Sequence, residues 1–207
     1  MPPAARHLPL SLSWQPMTRI NRSQRPTPAM QEWLTNTGSL TGRLINFSSG
    51  QFNVQVVRQI IGIPRLDERQ VLGMKQPTLA LIREVILCGR GEHWVFARSL
   101  LPLTSLTGRL RHLRKQGTRP LGAFLFSQPQ ITRSAIAVAR ISRDHAYVPA
   151  ALAGTASLWG RRSVFTVREK RLHKKTLQQP TFRQKPLLVS EVFLPAFVAR
   201  IEHKLPR

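Results

Sequence analysis

Alternation of apolar and polar residues predicts that most of this chain folds as β-strands. The segment Gln51–Gln59 (QFNVQVVRQ) places Phe52, Val54 and Val56 at every second position, which is typical of a strand with one buried face. The predicted strands are Gln51–Gln59, Thr78–Cys88, Glu92–Leu101, Ile131–Ile141, Val164–Arg168 and Pro186–Leu194. The second and third strands flank Gly89-Arg90-Gly91, and this glycine-bounded turn predicts a β-hairpin.

Helices are expected at only two places. Thr27–Leu34 carries Pro28 in its first turn, and Leu106–Gln116 is a basic segment that ends before Gly117. Long antiparallel strands with few helices predict a single α+β domain over residues 28–207. Residues 1–27 are rich in proline and basic residues and contain no acid, so we expect a poorly ordered basic lead-in there.

Strand parity singles out two charged residues. On the strand at 79–88 the odd-numbered positions are apolar except for Arg83, and at 187–193 they are apolar except for Glu191. Burying either charge without a partner would cost several kcal/mol. One interpretation is that the two residues pair with each other in the core, or that one faces out at a sheet edge. The other is a cavity in which Arg83 binds a carboxylate and Glu191 holds a hydroxyl at the far end of the same ligand.

Charge favours an anionic partner. The chain has 207 residues and a formal net charge of +23, from 32 Lys and Arg against 9 Asp and Glu. Apolar residues make up 42% of the chain, which is enough for a hydrophobic core. The partner can be a nucleic acid, an anionic membrane surface or a small polyanion.

The sequence argues against disulfides, metal binding and a membrane span. Cys88 is the single cysteine, and the six histidines lack ligand spacing, so we expect no metal site. No stretch approaches the ~18 apolar residues of a membrane helix. The N-terminal segment 8–13 is too short and too polar for a secretory signal. We therefore expect a cytoplasmic protein.

The segment 161–185 is strongly basic, with nine Lys and Arg against the single acid Glu169. Because it also contains Phe165 and Phe182, it raises the alternative of a nucleic-acid-binding protein. The other interpretation is a solvated extension of a hairpin. The absence of a helix-turn-helix or RNA-binding signature favours this second interpretation, and we expect no specific nucleic acid.

Three stretches carry a family resemblance. They are LIREVILCGRGEHWVFARSLLPLTSLTG (81–108), TRPLGAFLF (118–126), and LWGRRS with KPLLVSEVFLPAF (158–163 and 185–197). Together they resemble the chorismate lyase family of bacterial ubiquinone synthesis. The resemblance implies an α+β domain with a six-stranded antiparallel sheet and helical flaps over an internal ligand cavity. It also implies a monomer that cleaves chorismate to 4-hydroxybenzoate and pyruvate without a metal or an organic cofactor.

The resemblance also implies roles for four residues. Arg83 corresponds to the arginine that binds the ring carboxylate, and Glu191 to the carboxylate that holds the ring hydroxyl. Leu121 in the PLG motif and Leu40 in SLTGRL correspond to backbone contacts, although the family pattern has methionine at position 40. Two further arginines, in LWGRRS, either meet the second carboxylate of chorismate or lie at the surface; they are Arg161 and Arg162.

The chain departs from shorter family members at residues 141–157 and 167–184, which are expected insertions. One alternative is a non-catalytic domain of the same fold that binds a small ligand, as in the effector-binding domains of GntR-type regulators. Those domains normally follow a winged helix, which residues 1–30 cannot supply. Weak association with an anionic membrane is a further expectation from the charge. Residue types alone also leave open a product hydroxylated at position 3.

Overall fold

The fold is built on a seven-stranded antiparallel sheet, described by a computed structural model that covers residues 12–142, 145–170 and 182–203. The strands are β1 (Phe52–Gly62), β2 (Ala80–Gly89), β3 (Glu92–Pro102), β4 (Ile131–Arg133), β5 (Ala137–Ile141), β6 (Leu158–Lys170) and β7 (Phe182–Phe193). Their order in the sheet is β1-β2-β3-β7-β6-β4, with β5 also paired to β6. The last long strand, β7, therefore lies between β3 and β6. The predicted α+β fold is confirmed.

The predicted hairpin is confirmed, with a tighter turn than expected. Gly89 lies opposite Glu92, so only Arg90 and Gly91 form the turn. Both have positive φ, at 53° and 79°, which matches the twist of the flanking strands. Gly89 itself is required by packing, because a Cβ there would lie 2.1 Å from the ring of Trp94.

The predicted strand at 131–141 is split into β4 and β5. The chain leaves the sheet between them, where the Ser134 side chain accepts a hydrogen bond of 3.0 Å from the Val164 N–H. Both short strands pair with β6. They share one position at the edge of the sheet, which explains why seven strands fill the six positions expected.

Most helices are short. They are α1 (Pro28–Thr35), α2 (Leu40–Phe47), α3 (Leu66–Val71), α4 (Leu121–Ser127), α5 (Ala150–Ala153) and α6 (Pro195–His203). Helix α1 matches its prediction, and its N-cap Thr27 accepts a hydrogen bond from the Met30 N–H. The predicted helix at 106–116 is a 3₁₀-helix over Gly108–Lys115. None of the other five was predicted, because four to nine residues show too little periodicity.

The two faces of the sheet differ in character. On one face, α1, α2 and α6 pack over an apolar cluster that includes Trp33, Leu44 and Phe197. On the opposite face, Arg98 binds the Glu68 carboxylate through two hydrogen bonds of 2.7 and 3.0 Å. Both of these side chains are buried. The buried charges of this second face are therefore paired with each other.

The basic segment at 161–185 is only partly a surface feature. Arg161 and Lys185 are each 1% exposed, because β6 and β7 lie within the sheet. Lys185 donates a hydrogen bond of 2.8 Å to the Thr107 carbonyl and forms an ion pair with Glu169. The solvated interpretation is therefore wrong for these residues, and residues 171–181 of this segment lie outside the described residues.

The chain ahead of α1 contacts the sheet within its described part. Gln15 forms a bridge with Val138, and Ile20 is buried against the α1 side. Residues 1–11 lie outside the described residues, so the boundary at residue 27 stays a prediction. No helix in the described parts of the chain combines the length and apolar character needed to cross a membrane.

Candidate active site

A largely enclosed cavity lies between the sheet and helices α2 and α4. Its wall combines apolar side chains with a few charged ones. The lining residues are Leu40, Thr41, Val54, Arg83, Val85, Leu87, Ala97, Ser99, Pro120, Leu121, Gly122, Leu125, Phe126, Arg133, Arg161, Phe165, Val189 and Glu191. All four residues implied by the family resemblance are among them. A mostly apolar pocket with a few convergent polar groups is the usual form of a small-molecule site.

The strand register places Arg83 and Glu191 at opposite sides of the cavity floor. Arg83 lies opposite Ser99, and Glu191 lies opposite Ala97, both on β3. Two strand spacings of about 4.8 Å therefore separate the backbones of the two charged residues. Because Ser99 and Ala97 are small, they leave room for a ligand above β3. The structure thus brings the two predicted residues to one cavity without pairing them.

Arg83 is a buried guanidinium that lacks an acidic partner. It is 3% exposed, and its Nη1 donates a hydrogen bond of 3.1 Å to Oε1 of Gln59. No carboxylate within the described parts of the chain forms an ion pair with it. Burial lowers the pKa of Arg83 from its ordinary value, but a guanidinium stays protonated. This arrangement favours binding of an anion.

Glu191 is held by a second buried arginine. The Nε of Arg161 donates a hydrogen bond of 2.7 Å to Oε2 of Glu191. Nη1 of Arg161 donates to the carbonyl oxygens of Trp33 and Asn36, each at 2.8 Å. These bonds fix the carboxylate at the cavity wall. Its Oε1 accepts no hydrogen bond from any described residue, which leaves it available to a ligand hydroxyl.

The two arginines of LWGRRS occupy opposite faces of the sheet. Arg161 lies in the cavity wall, as described. Arg162 lies on the other face, where its Nη1 donates a hydrogen bond of 2.8 Å to Asp67. Of these two candidates for a second carboxylate contact, Arg162 is therefore far from the cavity, and Arg161 is already engaged by Glu191.

Leu40 and Leu121 begin the two helices that cover the cavity. Each is the first helical residue, after Ser39 and Pro120 respectively. Backbone N–H groups in a first helical turn have no partner within the helix, which suits a backbone contact to a ligand. The roles of both leucines stay predictions.

The two covering helices touch each other beside these leucines. A Cβ on Gly122 of α4 would lie 3.1 Å from Oγ1 of Thr41 in α2, which is tighter than an ordinary contact. Glycine at this position therefore allows the helices to close over the cavity.

Sequence reasoning missed two residues of this site. Gln59 lies opposite Arg83 in register and also donates a hydrogen bond of 3.0 Å from Nε2 to the Arg114 carbonyl in the 3₁₀-helix. Arg133 reaches the cavity from β4. Neither residue stands out in the sequence, because each acquires its role from which strands become neighbours.

No metal centre is evident where the structure describes side chains: no three His, Cys, Asp or Glu residues are grouped so that they would hold a metal ion. The charged groups of the cavity are guanidiniums and one carboxylate. Guanidiniums carry no lone pair for a metal and suit carboxylate ligands instead.

An antiparallel sheet that places Arg83 and an arginine-bound glutamate inside one cavity defines an α+β domain suited to a small organic anion. The model of the family described as chorismate lyase matches residues 8–202. The chain belongs to this family.

Related sequences agree with this assignment. The chain is 44% identical over 196 residues to "Probable chorismate pyruvate-lyase" of Azoarcus sp., covering 90% of this chain and 92% of the relative. It is 39% identical over 189 residues to the protein of the same name from Aromatoleum aromaticum, covering 87% and 94%.

Among solved structures, the effector domain of PhnF from Mycobacterium smegmatis is similar at 15% identity and a TM-score of 0.46. That match covers 78% of this chain and 91% of the PhnF domain. At this level of similarity, the likeness says nothing about function.

Proposed function

We propose that the protein is a chorismate lyase, which cleaves chorismate to 4-hydroxybenzoate and pyruvate. The observation that carries the proposal is the placement of Arg83 and Glu191 across one cavity, with only small side chains between them. Chorismate carries a ring carboxylate at C1 and a hydroxyl at C4, on opposite sides of the ring. The two ends of the substrate therefore match the two charged ends of the site.

Each residue then has a definite role. Arg83 binds the ring carboxylate through charge-assisted hydrogen bonds. Oε1 of Glu191 accepts a hydrogen bond from the C4 hydroxyl, while Arg161 fixes Oε2. The backbone N–H groups of Leu40 and Leu121 contact the bound molecule from the covering helices. This set of contacts positions the C4–H bond relative to the ether at C3.

The reaction needs little covalent help from the protein. The C3–O bond breaks, C4 loses its hydrogen, and a C3–C4 double bond completes the aromatic ring. The ether oxygen becomes the ketone oxygen of pyruvate. The methylene carbon of the enolpyruvyl group gains a hydrogen and becomes the methyl group. That hydrogen passes directly from C4 through a six-membered cyclic transition state, or Glu191 takes the proton in a separate step. Positioning and exclusion of water suffice for the first route.

Incubation of the purified protein with chorismate tests the proposal. We expect 4-hydroxybenzoate and pyruvate to form in equal amounts. Chromatography measures 4-hydroxybenzoate, and an enzymatic assay measures pyruvate. Formation of 3-hydroxybenzoate would overturn the product assignment. Saturable binding of 4-hydroxybenzoate without turnover would instead show a non-catalytic effector-binding domain. Tight, steeply salt-dependent binding to DNA or RNA without turnover would show a nucleic-acid-binding protein.

We extend the proposal to the setting of the enzyme. A cytoplasmic monomer that supplies 4-hydroxybenzoate to ubiquinone synthesis fits the sequence resemblance. The charge of +23 supports steering of a dianionic substrate and weak association with anionic membranes. Sedimentation velocity tests the monomer. Co-sedimentation with anionic vesicles at physiological salt tests the membrane association, and an absence of binding would contradict it.

A further inference from the structure

We infer that Arg133 binds the second carboxylate of chorismate, the one on the enolpyruvyl group. This inference rests on the proposed function. It assigns the half of the site that binds the enolpyruvyl group, the part of the substrate that becomes pyruvate. It replaces Arg161 and Arg162 as candidates for that contact. The argument comes from the charge balance of the cavity, from the position of Arg133 and from the way its side chain is held.

The charges that line the cavity do not balance on their own. Three guanidiniums belong to Arg83, Arg133 and Arg161, and the single carboxylate belongs to Glu191. Arg161 and Glu191 form an ion pair and neutralise each other. Two positive charges remain, on Arg83 and Arg133. Uncompensated charges in a largely enclosed site are costly, and a ligand with two carboxylates would compensate both.

Arg133 lies at the Glu191 end of the cavity. Its Nε donates a hydrogen bond of 3.0 Å to Oγ of Ser163, which is two residues from Arg161 on the same face of β6. Burial and the nearby charge of Arg161 both lower the pKa of Arg133, while Glu191 opposes this shift. In chorismate the enolpyruvyl ether at C3 adjoins the C4 hydroxyl. A ring held by Arg83 and Glu191 therefore carries its second carboxylate at the end where Arg133 lies.

The guanidinium of Arg133 is fixed in place. Its Nη1 donates a hydrogen bond of 2.8 Å to the Thr37 carbonyl, just ahead of α2. Its Cζ lies 5.3 Å from the ring centre of Phe165 and 5.7 Å from that of Phe126. Among the described residues, no acceptor is bonded to Nη2. Such a preorganised donor loses little conformational freedom when it binds a carboxylate.

The test compares substrate with product, because 4-hydroxybenzoate lacks the enolpyruvyl group. For Arg133→Gln, we expect kcat/KM for chorismate to fall by at least about 30-fold, as for loss of a buried charge-assisted contact. The inhibition constant of 4-hydroxybenzoate should change by less than about threefold, since the product lacks the carboxylate assigned to Arg133. Arg133→Lys keeps the charge and should recover part of kcat/KM. Arg140→Gln, which removes an exposed arginine on β5, controls for general loss of charge.

Two results would overturn the inference. One is an unchanged kcat/KM for chorismate in Arg133→Gln. The other is an equal weakening of substrate and product, which would indicate a structural role for Arg133. If the wild-type protein binds chorismate without cleaving it, the proposed function fails. The inference is then judged separately by calorimetry, from the ratio of chorismate to 4-hydroxybenzoate affinity in wild type and variant.

Discussion

Arg161 and Glu191 lie opposite each other on β6 and β7 and form an ion pair with an Nε–Oε2 distance of 2.7 Å. The interpretation that Glu191 pairs with Arg83 in the core is therefore wrong. Glu191 belongs to the wall of the cavity, and its orientation depends on Arg161. Because Arg161 also donates hydrogen bonds to the carbonyl oxygens of Trp33 in α1 and of Asn36 just after it, the same guanidinium joins the cavity wall to the end of α1.

Replacing Glu191 by glutamine should reduce kcat/KM for chorismate by at least about 100-fold. The amide keeps the shape of the carboxylate but removes the negative charge that accepts the hydrogen bond of the C4 hydroxyl, and losing such a charge-assisted contact in a buried site costs about 2–5 kcal/mol. Steady-state kinetics measure the effect. Glu202→Gln, which alters an exposed carboxylate on α6, serves as the control. Wild-type kinetics in Glu191→Gln would contradict the assigned role.

Replacing Arg83 by alanine should weaken the binding of both chorismate and 4-hydroxybenzoate. Both molecules carry the ring carboxylate, and loss of a charge-assisted contact in a buried site costs about 2–5 kcal/mol. The affinity for 4-hydroxybenzoate is measured by calorimetry and kcat/KM by product formation. This variant differs from Arg133→Gln, in which product affinity should be kept. Retention of product affinity in Arg83→Ala would exclude Arg83 as the carboxylate ligand.

Replacing Ala97 by leucine should abolish ligand binding. Ala97 lies on the cavity floor between the strands of Arg83 and Glu191, so a larger side chain occupies the space expected for the ring. Binding of 4-hydroxybenzoate and thermal unfolding are measured together, because the protein should stay folded. Ala199→Leu makes the same change at an exposed position of α6 and should leave both quantities unchanged. Normal binding in Ala97→Leu would place the ligand elsewhere.

Chorismate deuterated at C4 distinguishes the two chemical routes. The cyclic route transfers the label to the methyl group of pyruvate, because the hydrogen never leaves the site. A separate base such as Glu191 would exchange the label with solvent before it reaches the methylene carbon. Mass spectrometry of the pyruvate measures the label, and we expect it to be retained. Complete loss to water would rule out the cyclic route.

Glu92 should make folding stability depend on pH in the acidic range. Arg200 and Trp94 donate hydrogen bonds to its carboxylate and lower its pKa from 4.5 to about 2 in the folded protein. Its stabilising contribution is therefore complete above about pH 5 and is lost as the pH falls toward 2. Glu92→Gln should lower the free energy of unfolding modestly at pH 7, since Glu92 and Arg200 are partly exposed.

Urea denaturation of wild type and Glu92→Gln at pH 7, 4 and 2.5 measures this dependence. The difference between the two proteins should shrink as the pH falls. In an Arg200→Gln background the effect of Glu92→Gln should be smaller at every pH. A difference that stays constant from pH 7 to 2.5 would show that the ion pair does not contribute.

The sequence was sufficient to predict that Arg83 and Glu191 belong to one cavity. A strand has a side-chain period of two, so a single charge on an apolar face stands out, as Arg83 and Glu191 do. The hairpin of β2 and β3 was equally accessible, because Gly89-Arg90-Gly91 joins two clear strands. These predictions needed only local information along the chain.

Other parts of the site depend on long-range pairing and could not be predicted. Arg161 meets Glu191 because β7 lies beside β6, and Arg133 reaches the cavity because β4 pairs with β6 after the strand at 131–141 is split. Gln59 acquires its role only from its register with Arg83. Helix α2 has eight residues, about two turns, which give too weak a periodicity to identify.

The contact between Gly122 and Thr41 separates two properties of this protein. The charged groups proposed to bind the ligand, Arg83 and Glu191, lie on strands joined by a continuous hydrogen-bond ladder, whereas the cavity is covered by two helices of eight and seven residues. We therefore expect the strands to determine which ligand the cavity accepts, and the two short helices to limit how fast it enters and leaves. A bulkier residue at position 122 would hold these helices apart and speed both the entry and the departure of a ligand, while the strand-borne charges stay in place.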